Sequence, residues 1–102
     1  MISLIEEHRA ELQALCREHR VKTLEVFGSA TDETFDPARS DLDFLVEFLP
    51  EAGCRLFHGY FELKENLELL FKRKVDLLMP GAVRNPYLKK AINQQRKVLY
   101  AA

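Results

Sequence analysis

Apolar positions along the chain change period several times, and each change marks an element. From Ser3 to about His19 the residues Leu4, Ile5, His8, Leu12, Leu15 and Cys16 recur at steps of three and four, which predicts one amphipathic helix. Ser3 and Glu6 have the spacing of a capping box. Thr23 to Phe27 then reads as a strand, with a short helix expected from Ser29. A second strand is predicted over Asp41 to Phe48, where Leu42, Phe44, Val46 and Phe48 alternate with Asp41, Asp43, Leu45 and Glu47. Pro50 to Gly53 breaks that period. A helix from Leu56 or Phe57 to Phe71 follows, with Tyr60, Phe61, Leu63, Leu67, Leu70 and Phe71 as a broad apolar stripe. Lys74 to Met79 reads as a third strand. After the Pro80-Gly81 turn, Asn85 and Pro86 have the form of a cap and first helical residue, opening a helix to about Gln95. Arg96 to Tyr100 closes the series as a short strand. The mixture of elements points to an α/β (α+β) fold.

Composition narrows the class. The chain has 102 residues, 47% hydrophobic and 30% charged, which suits a single domain over 1–102. A formal net charge of -1 argues against a protein that coats nucleic acid, whose affinity would come from many basic contacts to phosphate. No stretch approaches the roughly 20 apolar residues that span a bilayer, and Met1-Ile2-Ser3-Leu4 lacks the start of a signal peptide. Cys16 and Cys54 have no metal-ligand spacing, so they read as reduced thiols in a cytoplasmic protein. His8 and His19 likewise read as packing or surface residues.

The candidate chemistry lies at two strand ends. Val26-Phe27-Gly28-Ser29 ends a short apolar strand in a turn where glycine lets the backbone approach a phosphate and the serine hydroxyl can donate a hydrogen bond. After eleven residues comes Asp41-Leu42-Asp43. Positions i and i+2 of a strand share a face, so both carboxylates can serve one cation site. Asp76, between apolar neighbours in the third strand, offers a third acid. Two divalent cations about 4 Å apart serve polymerase-type phosphoryl transfer, and magnesium prefers such hard oxygen ligands. Any one of these fragments alone reads best as an ordinary loop or edge feature; their order and combination favour nucleotidyl transfer. Glu47 shares the face of Asp43 but lies further along, where ion pairing suits it better. Lys72-Arg73-Lys74 complements the end of the preceding helix. There is no G-x-x-x-x-G-K-[ST], H-E-x-x-H or G-x-S-x-G, which disfavours P-loop, zinc-peptidase and serine-hydrolase readings.

Gly28-Ser29, Asp41-x-Asp43 and Asp76 together resemble the polymerase-β-like nucleotidyltransferase superfamily, and within it the minimal nucleotidyltransferase (MNT) antitoxins paired with HEPN-domain toxins. The likeness extends through Arg39 to Phe48, Val75 to Leu77, Arg84 to Tyr87 and Val98 to Tyr100. Two departures are visible: the spacer Ala30 to Ser40 is longer than usual by a residue, and Thr31-Asp32-Glu33 stands where many members carry Arg-Gly. The resemblance implies a small mixed sheet flanked by helices. It implies Mg²⁺ held by Asp41, Asp43 and Asp76, and ATP phosphates held by Gly28 and Ser29. It further implies transfer of AMP to a tyrosine hydroxyl of a HEPN RNase toxin, with that toxin as heteromeric partner and a homodimer left open. Direct nucleic-acid or membrane binding is not expected. The competing reading is an antitoxin that acts by binding alone.

Overall fold

The computed structural model describes residues 3–28, 41–50, 56–82 and 84–102. The predicted first helix is two helices, α1 (Ser3–Glu7) and α2 (Arg9–Glu18). His8 interrupts them at φ -110°, ψ 14°. Its ring meets Phe71 edge to face, with centroids 5.4 Å apart. Glu6 is paired with Arg9 at 2.9 Å across the break; the Ser3 side chain of the expected capping box lies outside what is described. The periodicity survives because Ile5, Leu12 and Cys16 are all fully buried on one side. Period alone could not reveal the interruption.

The remaining elements are β1 (Val21–Phe27), β2 (Leu42–Phe48), α3 (Leu56–Phe71), β3 (Val75–Leu78), a 3-10 turn over Pro80–Ala82, α4 (Pro86–Gln95) and β4 (Lys97–Ala101). The strands form one mixed sheet in the order β3-β2-β1-β4. β1 is antiparallel to both β2 and β4, whereas β2 and β3 run parallel. Parallel neighbours need a crossover, which α3 supplies. β1 begins earlier than its own residues suggest because its partners extend it: Val21 faces Phe48, and the Ala102 amide donates to the Lys22 carbonyl at 2.8 Å. α2 and α3 are followed by Arg20 and Lys72 at φ 57° and 55°. This left-handed conformation often ends helices and usually calls for glycine, so nothing in the residues at 20 and 72 announces it.

Two apolar clusters fix the layers. Ile5, Leu12 and Cys16 of the first helices and Leu63, Leu67 and Phe71 of α3 pack with Leu24, Val26, Leu42, Phe44, Val46, Val75, Leu77 and Leu99 of the strands. On the other sheet face a smaller cluster joins Phe27, Leu45 and Leu78 to Ile92 of α4. Leu45, expected on a polar face, is therefore buried because α4 covers it. Phe61, expected within the helix stripe, is instead 47% exposed. No helix among the described residues is long and apolar enough to cross a membrane.

Candidate active site

Asp43 and Asp76 come together through the sheet register. They are direct partners across the parallel β2–β3 pair, flanked by Leu42↔Val75 and Phe44↔Leu77. Because both neighbours on each strand point into the main cluster, the two carboxylates project from the opposite face. There the two carboxyl groups are close enough to act on each other. Burial first, then the Asp76 charge, hydrogen bonding with Asp76 and the charge of Asp41 push the Asp43 pKa up to about 6. One proton shared between two close carboxylates is the usual outcome of like charges that cannot both ionise cheaply.

Gly28 closes the third side. It follows Phe27, which is the register partner of Asp43 on β1. Its φ is +76°, and a Cβ there would stand 2.5 Å from Oδ2 of Asp43. Glycine is needed both for the backbone conformation and for the space that the carboxylate occupies. The sequence had suggested only a phosphate-facing reason. Ser29, the other expected phosphate ligand, lies outside the described residues, as do the predicted short helix beginning at it, the Thr31-Asp32-Glu33 segment and Cys54.

Asp41 sits just before β2 and is half-buried. Its charge reaches Asp43, yet among the described residues no three Asp, Glu, His or Cys side chains are gathered tightly enough to hold a metal ion. The donor chemistry nonetheless fits magnesium. That ion is ordinarily held by one or two carboxylates and takes its other ligands from water and substrate phosphate. A divalent cation held by these residues would also relieve the like-charge repulsion that helps raise the Asp43 pKa.

Several contacts around the pair had no signal in the periodicity. The Tyr60 hydroxyl of α3 donates to the Leu77 carbonyl, and its pKa is raised by burial and then by the Asp76 charge. The Val75 amide donates to Glu68 Oε2 at 3.2 Å. Glu25, its side chain only 14% exposed, pairs with Arg96 at 3.3 Å. Lys89 and Arg96 line a cavity of about 280 Å³ with Leu45, Pro80, Ile92 and Asn93. That cavity opens on the face that carries Asp43. Glu47 pairs with Lys22 at 3.9 Å, as expected of an ion-pairing residue. Arg73 Nε donates to the Phe71 carbonyl at 3.3 Å, satisfying the end of α3. Cys16 is free and buried, and desolvation pushes its pKa up to about 12.

The model of the nucleotidyltransferase domain matches residues 8–99. Two provisionally named protein adenylyltransferases of Methanocaldococcus jannaschii are 38% and 36% identical. The first alignment covers 84% of this chain and 84% of the relative; the second covers 83% and 91%. Among solved structures, one provisionally assigned as a minimal nucleotidyltransferase is 27% identical with a TM-score of 0.73, over 91% of this chain and 90% of that one. A chain from a toxin-antitoxin complex with AMP-PNP shares the fold at a TM-score of 0.66 and 22% identity, over 92% of this chain and 73% of that one. So does a chain from the complex of tri-AMPylated Shewanella oneidensis HEPN toxin with MNT antitoxin, at 0.62 and 19%, over 95% and 72%.

Proposed function

The chain belongs to the nucleotidyltransferase domain family, and from that premise we propose that it is a Mg²⁺-dependent protein adenylyltransferase. It moves AMP from ATP to a tyrosine hydroxyl of a HEPN-type RNase toxin, breaking the α–β phosphoanhydride bond and releasing pyrophosphate, and so neutralises that partner. The observation that carries the reading is the Asp43–Asp76 pair, set in register on parallel strands with Gly28 against Asp43. The names of its relatives support a protein as acceptor, and a structural neighbour solved with an AMPylated HEPN toxin supports that kind of partner.

Asp43 and Asp76 would hold magnesium, joined by Asp41 from the entrance to β2. When bound, the metal neutralises triphosphate charge and makes the attacking hydroxyl easier to deprotonate. Gly28, with no side chain, lets the turn approach the phosphates, and Ser29 would donate a hydrogen bond to them. Asp76 is exposed on the edge strand of the sheet, where it can accept the proton of an incoming hydroxyl. The fixed strands contribute orientation, so little rearrangement is needed at the moment of transfer. An AMP group added to the toxin brings bulk and negative charge, which disfavours RNA there.

A second reading is favoured by one feature: the three acids do not form a closed metal-binding group. In it the protein neutralises its partner by binding alone. ATP labelled at the α-phosphate separates the two. With Mg²⁺ and a co-expressed HEPN partner, the label is expected on that partner; label arriving only from the γ-phosphate would indicate a kinase and overturn the reading.

A further inference from the structure

Among the described residues β3, which contributes Asp76, pairs with β2 alone and stands last in the sheet order β3-β2-β1-β4. The backbone groups of successive strand residues point alternately to the two sides, so if Lys74 and Asp76 face β2, Val75 and Leu77 face outward. The Lys74 carbonyl does face β2, accepting from the Leu42 amide at 3.2 Å. On the outer side both bracketing residues are engaged by α3: the Val75 amide donates to Glu68 Oε2, and the Leu77 carbonyl accepts from the Tyr60 hydroxyl. An edge strand left with open amides and carbonyls slides and frays more easily than a paired one. Helix α3 thus serves as a substitute strand, one side-chain bond on each side of Asp76.

We infer that Tyr60 and Glu68 are positioning residues for Asp76, clamping the free edge of β3 so that its carboxylate is held opposite Asp43. Neither touches the reacting atoms. The clamp stands on geometry; its functional consequence rests on the reading of Asp43 and Asp76 as metal ligands. Tyr60 is anchored for the task by partial burial against the main core cluster and by the edge-to-face ring of Phe61, with centroids 5.2 Å apart. Glu68 sits eight residues further along α3, or about 12 Å of helix, and meets the strand two residues earlier. Helix and strand therefore run in opposite directions, and the two bonds fix both the height and the tilt of β3.

The test compares Tyr60→Phe, Glu68→Leu and Glu68→Gln in the full chain, the last of which keeps a carbonyl acceptor for the Val75 amide. Two readouts are needed: amide exchange of Leu42 by NMR, which reports the β2–β3 seam, and Mn²⁺ affinity by calorimetry. Tyr60→Phe and Glu68→Leu should speed Leu42 exchange about tenfold, with β1–β2 amides unchanged, and weaken Mn²⁺ binding about five- to twentyfold. Glu68→Gln should restore both towards wild type. Unchanged seam protection in folded Tyr60→Phe overturns the clamp, as does a loosened seam with wild-type Mn²⁺ affinity. If Glu68→Leu unfolds, Tyr60→Phe and Glu68→Gln still decide the matter. A wild-type protein that binds no Mn²⁺, while the variants still loosen the seam, would sink the metal reading and leave the clamp standing.

Discussion

Asp43 shows how a single side chain couples stability to function. Its ordinary pKa of 3.8 rises to about 6 in the fold, chiefly through burial and the facing Asp76. Between those values the folded chain keeps a proton that the unfolded chain has released, so stability falls as pH rises through the window and levels off above it. Two units at full burial would correspond to roughly 3 kcal/mol, and partial solvent screening reduces this to about 1–2 kcal/mol. Asp43→Asn should therefore stabilise the metal-free protein by that amount at pH 7.5 and by little at pH 4, as read by urea titration with a chelator present. A stabilisation independent of pH would mean that the pair does not share a proton. Gly28→Ala makes the complementary case. The left-handed φ alone costs a residue with a Cβ about 1–2 kcal/mol, and the added carbon must also displace Asp43 from 2.5 Å. Calorimetry should show weakened Mn²⁺ binding together with a lowered melting temperature; a variant with only the latter would separate Gly28 from the site.

At the scale of elements, α4 is held by few contacts and depends on its cap. Asn85 Oδ1 accepts from the Tyr87 and Leu88 amides at 2.9 and 3.4 Å, and Pro86 supplies a preset φ at the first helical position. Of its side chains Ile92 is the one that is buried, so the helix has little packing to fall back on. Asn85→Ala is expected to cost about 1 kcal/mol. That corresponds to a fall of about 4–8 °C in Tm for a domain of this size, with hydrogen exchange of α4 rising before that of β1 and β2. This element was legible in the sequence because its signals are local. The break at His8 was not, because helical periodicity continues across it and the His8–Phe71 contact joins residues far apart in the chain.

At the scale of the whole molecule, the proposed transfer and the binding-only alternative differ in what one double variant should do. A double variant, Asp41→Asn with Asp43→Asn, removes two metal-directed charges while keeping side-chain shape. It should fold at least as well as wild type at neutral pH, since clustered acids repel without a cation. It should also fail to transfer label and fail to protect cells from the co-expressed toxin. Protection retained without transfer would favour the binding-only antitoxin.

Strand, turn and cap chemistry are written in short windows, and from them the sequence by itself determined the element series, the location of the carboxylates and the family they resemble. It placed Asp41, Asp43 and Asp76 on two strands but could not say which two would meet. Register decided that: Asp43 faces Asp76 because the α3 crossover brings β3 parallel to β2 at that offset. Likewise, glycine at position 28 could be read from its turn, whereas the carboxylate occupying the space beside it could not. Tyr60 read as a residue of the apolar stripe and Glu68 carried no signal; only the packing of α3 along the sheet edge gave their polar atoms backbone partners. Local propensity acts over a few residues; register, burial and edge closure depend on groups that are distant in sequence, and these were settled by the tertiary structure alone.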